Sequence, residues 1–241
     1  MDTEFPGVIY HPTRRNSIRD GTLVYFLRPV SNYQALKANV DALKLIQVGL
    51  TLSDSKGNLP DFGTGTCYIW QFNFRDFDIS NDYYAPESIE ILKRQGIDFE
   101  KNLQKGIDSM IFVDLLFRSR LVCNGSLAWV TFHSAYDFGY LIKILTKKML
   151  PYELHNFVLL VRMFFGAQVY DIKHIMKFCN NLYGGLERVA KRLEVDREVG
   201  NRHQAGSDSL ITLKTFLKIK EKFFGGGNYY KLFAGVLYGL E

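Results

Sequence analysis

Leu45-Ile46-Gln47-Val48-Gly49-Leu50-Thr51-Leu52 is an apolar run bounded by polar, turn-forming sequence, and its length and β-branched content read as a buried strand. Upstream, Ser31-Asn32-Tyr33-Gln34 has capping-box spacing and opens a helix to about Leu43. Before it, residues 8–30 carry Arg14, Arg15, Arg19 and Arg28 around the β-like run Thr22-Leu23-Val24-Tyr25-Phe26, and read as an elaborated surface loop or small hairpin. Met1 to Phe5 reads as a strand ended by Pro6-Gly7, which leaves Met1 inside a strand and implies natural residues upstream. Downstream, Asp54 to Gly63 is turn-rich and Thr66 to Phe74 alternates in polarity, a third strand. Together the three make an antiparallel meander.

Beyond Pro86 the periodicity becomes helical. Helices are expected over 87–95, 99–118 and 152–165 and from Ser134, with strands at 127–132 and 167–170. From Ile172 onward the chain reads helical except for the loop at 195–206 and Gly225-Gly226-Gly227. A meander followed by strands alternating with helices describes an α/β fold, the ribonuclease-H-like plan: three layers, a mixed five-stranded sheet, helices on both faces. Residues 1–241 are read as one domain.

The composition, 47% apolar and 23% charged with a net charge of +5, belongs to a globular protein and permits a nucleic-acid partner without marking one, because no block of like charge stands out. Cys67, Cys123 and Cys179 are odd in number and widely spaced, so they read as reduced, packed thiols rather than a disulfide or zinc framework. The most apolar run, Phe157 to Val161, stops at Arg162, far short of the ~20 residues that span a membrane. No membrane partner is expected, and a cytoplasmic and nuclear location is.

Three D-x-E pairs occur. Asp98/Glu100 follows Gly96 at a helix start and Asp196/Glu198 lies in a polar loop, so both read as solvated. Asp2/Glu4 differs, since strand spacing puts both carboxylates on one face. Asp137 in the first turn after Ser134, and His203 and Asp208 where the last loop enters a helix, complete a set of four carboxylates and one histidine. Four carboxylates on one site repel each other and any phosphodiester, so the site is tolerable only if cations occupy it. Two divalent ions would act on both oxygens of a phosphoryl displacement, and hard oxygen ligation favours Mg2+ or Mn2+. His203 suits proton abstraction from water near neutral pH. His133 adjoins the set, Asp171 reads as a helix N-cap, and His11, His155 and His174 read as surface or packed residues.

These motifs resemble the DEDD superfamily of 3'-5' exonucleases in its histidine-bearing branch. Met1 to Gly7, Lys44 to Leu52, Phe132 to Tyr140 and His203 to Leu210 are similar, in order, to the Ccr-associated-factor family of poly(A)-degrading enzymes. The resemblance implies metal ligation by Asp2, Glu4, Asp137 and Asp208 and a general-base role for His203. It also implies single-stranded poly(A) RNA as substrate, release of 5'-AMP, and assembly with the Ccr-Not scaffold and a second nuclease subunit. Ala135 stands where that family more often has Gly, and the loop at 8–30 looks longer than usual. Two other readings share the residues: a scaffold subunit with dispensable catalysis, and a DNA proofreading exonuclease.

Overall fold

The computed structural model describes residues 1–12 and 21–241, with main chain only over 21–28. Arg14, Arg15 and Arg19 of the expected loop lie outside the described residues. The run at 22–26 is helical: α1 spans Gly21–Ala42 with Pro29 inside it. Local β propensity is a weak preference that a longer helical segment overrides. Ser31 therefore sits within the helix and does not open it.

The meander forms as expected, though its strands are shorter: β1 (Asp2–Glu4), β2 (Gln47–Leu50) and β3 (Trp70–Asn73) pair antiparallel in the order β1-β2-β3. Thr66 to Ile69 lies outside β3, and Tyr68 instead donates its N–H to the carbonyl of Pro60 at 3.0 Å. Next come α2 (Pro86–Arg94), α3 (Phe99–Lys105) and α4 (Ser109–Arg118). The single helix expected over 99–118 is thus two. Between them the chain leaves helical geometry to pair with the end of β3, the Ile107 N–H reaching the Asn73 carbonyl at 2.8 Å. Asp108 then caps the restart through the Met110 N–H at 2.8 Å.

After β4 (Trp129–Thr131) follow α5 (Ala135–Thr146) and α6 (Leu154–Phe165). β5 (Val169–Asp171), parallel to β4, runs into the short α7 (Ile172–Ile175), and α8 (Leu186–Arg192) and α9 (Ala205–Phe224) follow. Residues 179–185 are not helical, contrary to expectation. Among the described residues, ladder bonding divides the five strands into a three-stranded and a two-stranded sheet rather than one continuous mixed sheet. The two halves are joined where the main-chain nitrogen of Met1 donates to the Val130 carbonyl at 2.9 Å, a single bond being short of a ladder.

Alternation along the strands assigns the faces. Thr3, Val48 and Phe72 share a face through their register, and Val48 belongs to a core built with α1, α4, α5 and α6. On the other face, α9 packs across β1, β2, β3 and β4, with α8 beside it. Tyr170, Val189, Phe216 and Ile219 form a second core there. Of the three thiols, Cys179 is buried as expected, whereas Cys67 and Cys123 are exposed; all three are free.

Candidate active site

Asp2 and Glu4 point to the face on which α9 begins. The α9 N-terminus comes very close to the sheet because Gly49, paired with Asp2, has no side chain: a Cβ there would lie 1.8 Å from the Ala205 carbonyl oxygen. Two glutamines receive the free N–H groups of the first turn. Gln47 Oε1 accepts from Ala205 at 3.2 Å and Gln71 Oε1 from Gly206 at 3.0 Å. So docked, α9 presents Asp208 in its first turn toward Glu4.

Asp137 arrives from the opposite layer, in the first turn of α5. Thr3, on the other face of β1 from its acidic neighbours, donates its hydroxyl to Asp137 Oδ1 at 2.8 Å. The start of α5 is held by the fully buried Asp171 at the end of β5. Its carboxylate accepts the N–H groups of His133 (2.8 Å), Ser134 (3.2 Å), Lys173 (2.9 Å) and Tyr238 (3.0 Å). Asp171 does cap α7, as read from the sequence, and it also fixes the element that carries Asp137.

Glu4, His203 and Asp208 each offer a ligand atom, all within 4.8 Å of one another. His203 Nδ1 lies 3.9 Å from Glu4 Oε1. Its backbone is left-handed, φ 56°, and its N–H donates to Asp208 Oδ2 at 3.0 Å. Glu4, Asp137 and Asp208 are buried, and Asp2 is partly so.

The electrostatics of the acidic residues are set by burial and by their mutual repulsion. Burial, then the charges of Asp137, Glu4 and Asp208, hold the Asp2 carboxyl well above its ordinary range. Burial, then Asp208 and Asp137, does the same for Glu4. Burial raises Asp137 to about 6 against the pull of the Thr3 hydroxyl. It also raises Asp208, against Arg197 and the His203 N–H. Buried oxygens that repel one another, with an imidazole nitrogen at their edge, suit one or more hard divalent cations.

The structure brings Asp2, Glu4, Asp137, His203 and Asp208 to one place. His133 is exposed, its ring edge-on to Tyr238 at 5.1 Å, and lies outside the Glu4–His203–Asp208 cluster. His11 and His155 are exposed and His174 is buried. Asp98 caps α3, whereas Asp196 and Glu198 are exposed, as expected for solvated pairs. Sequence reasoning missed Thr3, Gln47, Gln71 and above all Arg197, whose guanidinium lies 2.6 Å from Asp208 Oδ1. An arginine in a polar loop carries no local mark of such a partner.

A ribonuclease-H-like α/β fold with this acidic centre defines a nuclease. More narrowly, the chain belongs to the CAF1 family ribonucleases. The family model matches residues 1–110. The chain is 53% identical over 240 residues to a probable CCR4-associated factor 1 homolog 10 of Arabidopsis thaliana, covering 100% of this chain and 82% of that protein. It is 44% identical to the poly(A) ribonuclease pop2 of Schizosaccharomyces pombe, over 100% of this chain and 67% of that protein. The solved Mg2+- and Mn2+-bound form of S. pombe Pop2p superposes with a TM-score of 0.87 at 43% identity, covering 99% of this chain and 88% of that one. A structure of the yeast NOT1 MIF4G domain co-crystallized with CAF1 matches with a TM-score of 0.75 at 32% identity, over 98% of this chain and 85% of that one.

Proposed function

We propose that the chain is a metal-dependent 3'-5' exoribonuclease that shortens single-stranded poly(A) RNA one nucleotide at a time, releasing 5'-AMP, as a subunit of a Ccr-Not assembly. The observation that carries this reading is the convergence of four repelling carboxylates with His203 at their edge. Asp2, Glu4, Asp137 and Asp208 would hold two divalent ions, Mg2+ or Mn2+. When bound, such ions neutralise the scissile phosphate and both oxygens of the displacement. The divalent ions in the S. pombe Pop2p structure support that use of metal.

The residues of the chain do the rest. Asp171 and Thr3 hold Asp137 in place, and Gln47 and Gln71 hold α9 and thereby Asp208. The His203 ring is half exposed, so it can take a proton from the attacking water and return it to solvent. A core that includes both Met1 and Leu237 supports reading residues 1–241 as one catalytic unit. Adenosine preference is supported by the name of the S. pombe relative. The co-crystal of yeast CAF1 with NOT1 supports the scaffold partnership, and the name CCR4-associated factor supports a second nuclease partner.

The test is a time course of the purified chain on a 3' poly(A) RNA and a matched DNA, with Mg2+, Mn2+ or chelator. Stepwise 3' shortening of the RNA, dependent on metal, is expected. Equal degradation of the DNA, or activity in chelator, would overturn the reading.

A further inference from the structure

Arg197 leaves the loop between α8 and α9 and turns inward, its side chain only 15% exposed. One end nitrogen, Nη2, lies between two carboxylates: it contacts Glu187 of α8 and stands 2.6 Å from Asp208 Oδ1. The other, Nη1, contacts the Ser207 hydroxyl and donates to the Asn201 carbonyl at 3.2 Å. Both oxygens of Asp208 are therefore engaged, since Oδ2 accepts from the His203 N–H.

Two details define this contact. Arg197 Nε is buried with no hydrogen-bond partner among the described residues, so the side chain is held by its two end nitrogens alone. Asp208 Oδ1 has the guanidinium 2.6 Å away. A carboxylate oxygen carries more than one lone pair, so this contact does not by itself use up its capacity for a second cation.

We propose that Arg197 is the resident counter-cation of Asp208, and that Glu187 behind it sets how firmly the site takes a divalent ion. The inference rests on the reading of Asp208 as a metal ligand. A divalent ion held in part by Glu4 and Asp208 shares the Asp208 charge with Arg197, so the guanidinium weakens its hold. Glu187 draws on the same guanidinium from the other side and returns part of that charge to the ion. Arg197 is thus a positioning residue: it touches neither substrate nor the reacting atoms, and it aligns Asp208 while limiting metal affinity.

The two members of the pair make opposite predictions, which a purely structural role does not. In calorimetric titration with Mn2+ alone, Arg197→Met is expected to bind more tightly than the wild type, by about fivefold or more, the lower end of coupling between two sites. Glu187→Gln is expected to bind more weakly by a similar factor, and Arg197→Lys, which keeps the charge, to stay near the wild type. Unchanged or weaker binding by Arg197→Met, or a shift of both variants in the same direction, would overturn the proposal. Should Arg197→Met fail to fold, Glu187→Gln decides, and unchanged or tighter binding there overturns it equally. Absence of Mn2+ binding by the wild type would instead sink the metal reading itself.

Discussion

Replacing any one of Asp2, Glu4, Asp137 or Asp208 by alanine removes one charge from four that burial already disfavours. Each variant is expected to fold as well as the metal-free wild type and to lose nearly all nuclease activity; a variant keeping more than a few per cent would not have lost a ligand. His203→Ala is expected to lower turnover by ~10² to 10⁴, the usual range for a positioned base. Because Nδ1 lies 3.9 Å from Glu4 Oε1, within reach of the same ion, the variant must keep its Mn2+ affinity if the base assignment is right. At this scale the five residues that converge were legible as candidates, since each sits in a short motif with a local geometric meaning. Their supports were not. Thr3 meets Asp137 across 134 positions of sequence, and nothing near Arg197 announces Asp208.

Elements hold the site through contacts that leave little room. The approach of α9 to β2 depends on Gly49, where an added Cβ meets main-chain atoms that cannot turn aside. Gly49→Ala is expected to destabilise the protein by about 3 kcal/mol or more and to cost activity beyond that, because α9 carries Asp208. Chemical denaturation and turnover measured on the same sample would show it; an alanine variant of wild-type stability would mean that α9 docks elsewhere. The sequence showed where β2, β4, α6 and α9 lie, because their patterns run long enough to speak for themselves. It misled at 22–26, where β-branched residues belong to α1, and at 99–118. There the break at Gly106 is a tertiary event, made by the pairing of Ile107 with β3, and helical periodicity runs straight through it.

Across the whole molecule, the acidic centre couples stability to pH. Asp137 titrates near 3.8 in an unfolded chain and at about 6 in the fold, so between those values the native state binds the proton more tightly. Stability therefore falls as pH rises through that window, and Asp2 and Glu4, also raised, extend the fall in the same direction. In chelator the thermal midpoint is expected to decline from about pH 4 to beyond 6. Mn2+ should reverse the decline by taking the place of the protons. A flat profile in chelator would mean that burial does not hold these carboxyls above their ordinary range. The layered plan was readable from the order of helices and strands. The split of the sheet between β1 and β4 was not, because it rests on a single bond, from Met1 to Val130.

The left-handed backbone of His203 carries one more consequence. Any side chain with a Cβ is strained there, and glycine alone is not, so His203→Gly deletes the imidazole while relaxing the loop that holds Asp208. The ring it removes is half exposed, and the space opens to solvent. Free imidazole added to that variant should diffuse in and restore part of the turnover, with a concentration dependence that the alanine variant shares only weakly. The residue would then be a replaceable reagent, and the loop around it the permanent part of the enzyme.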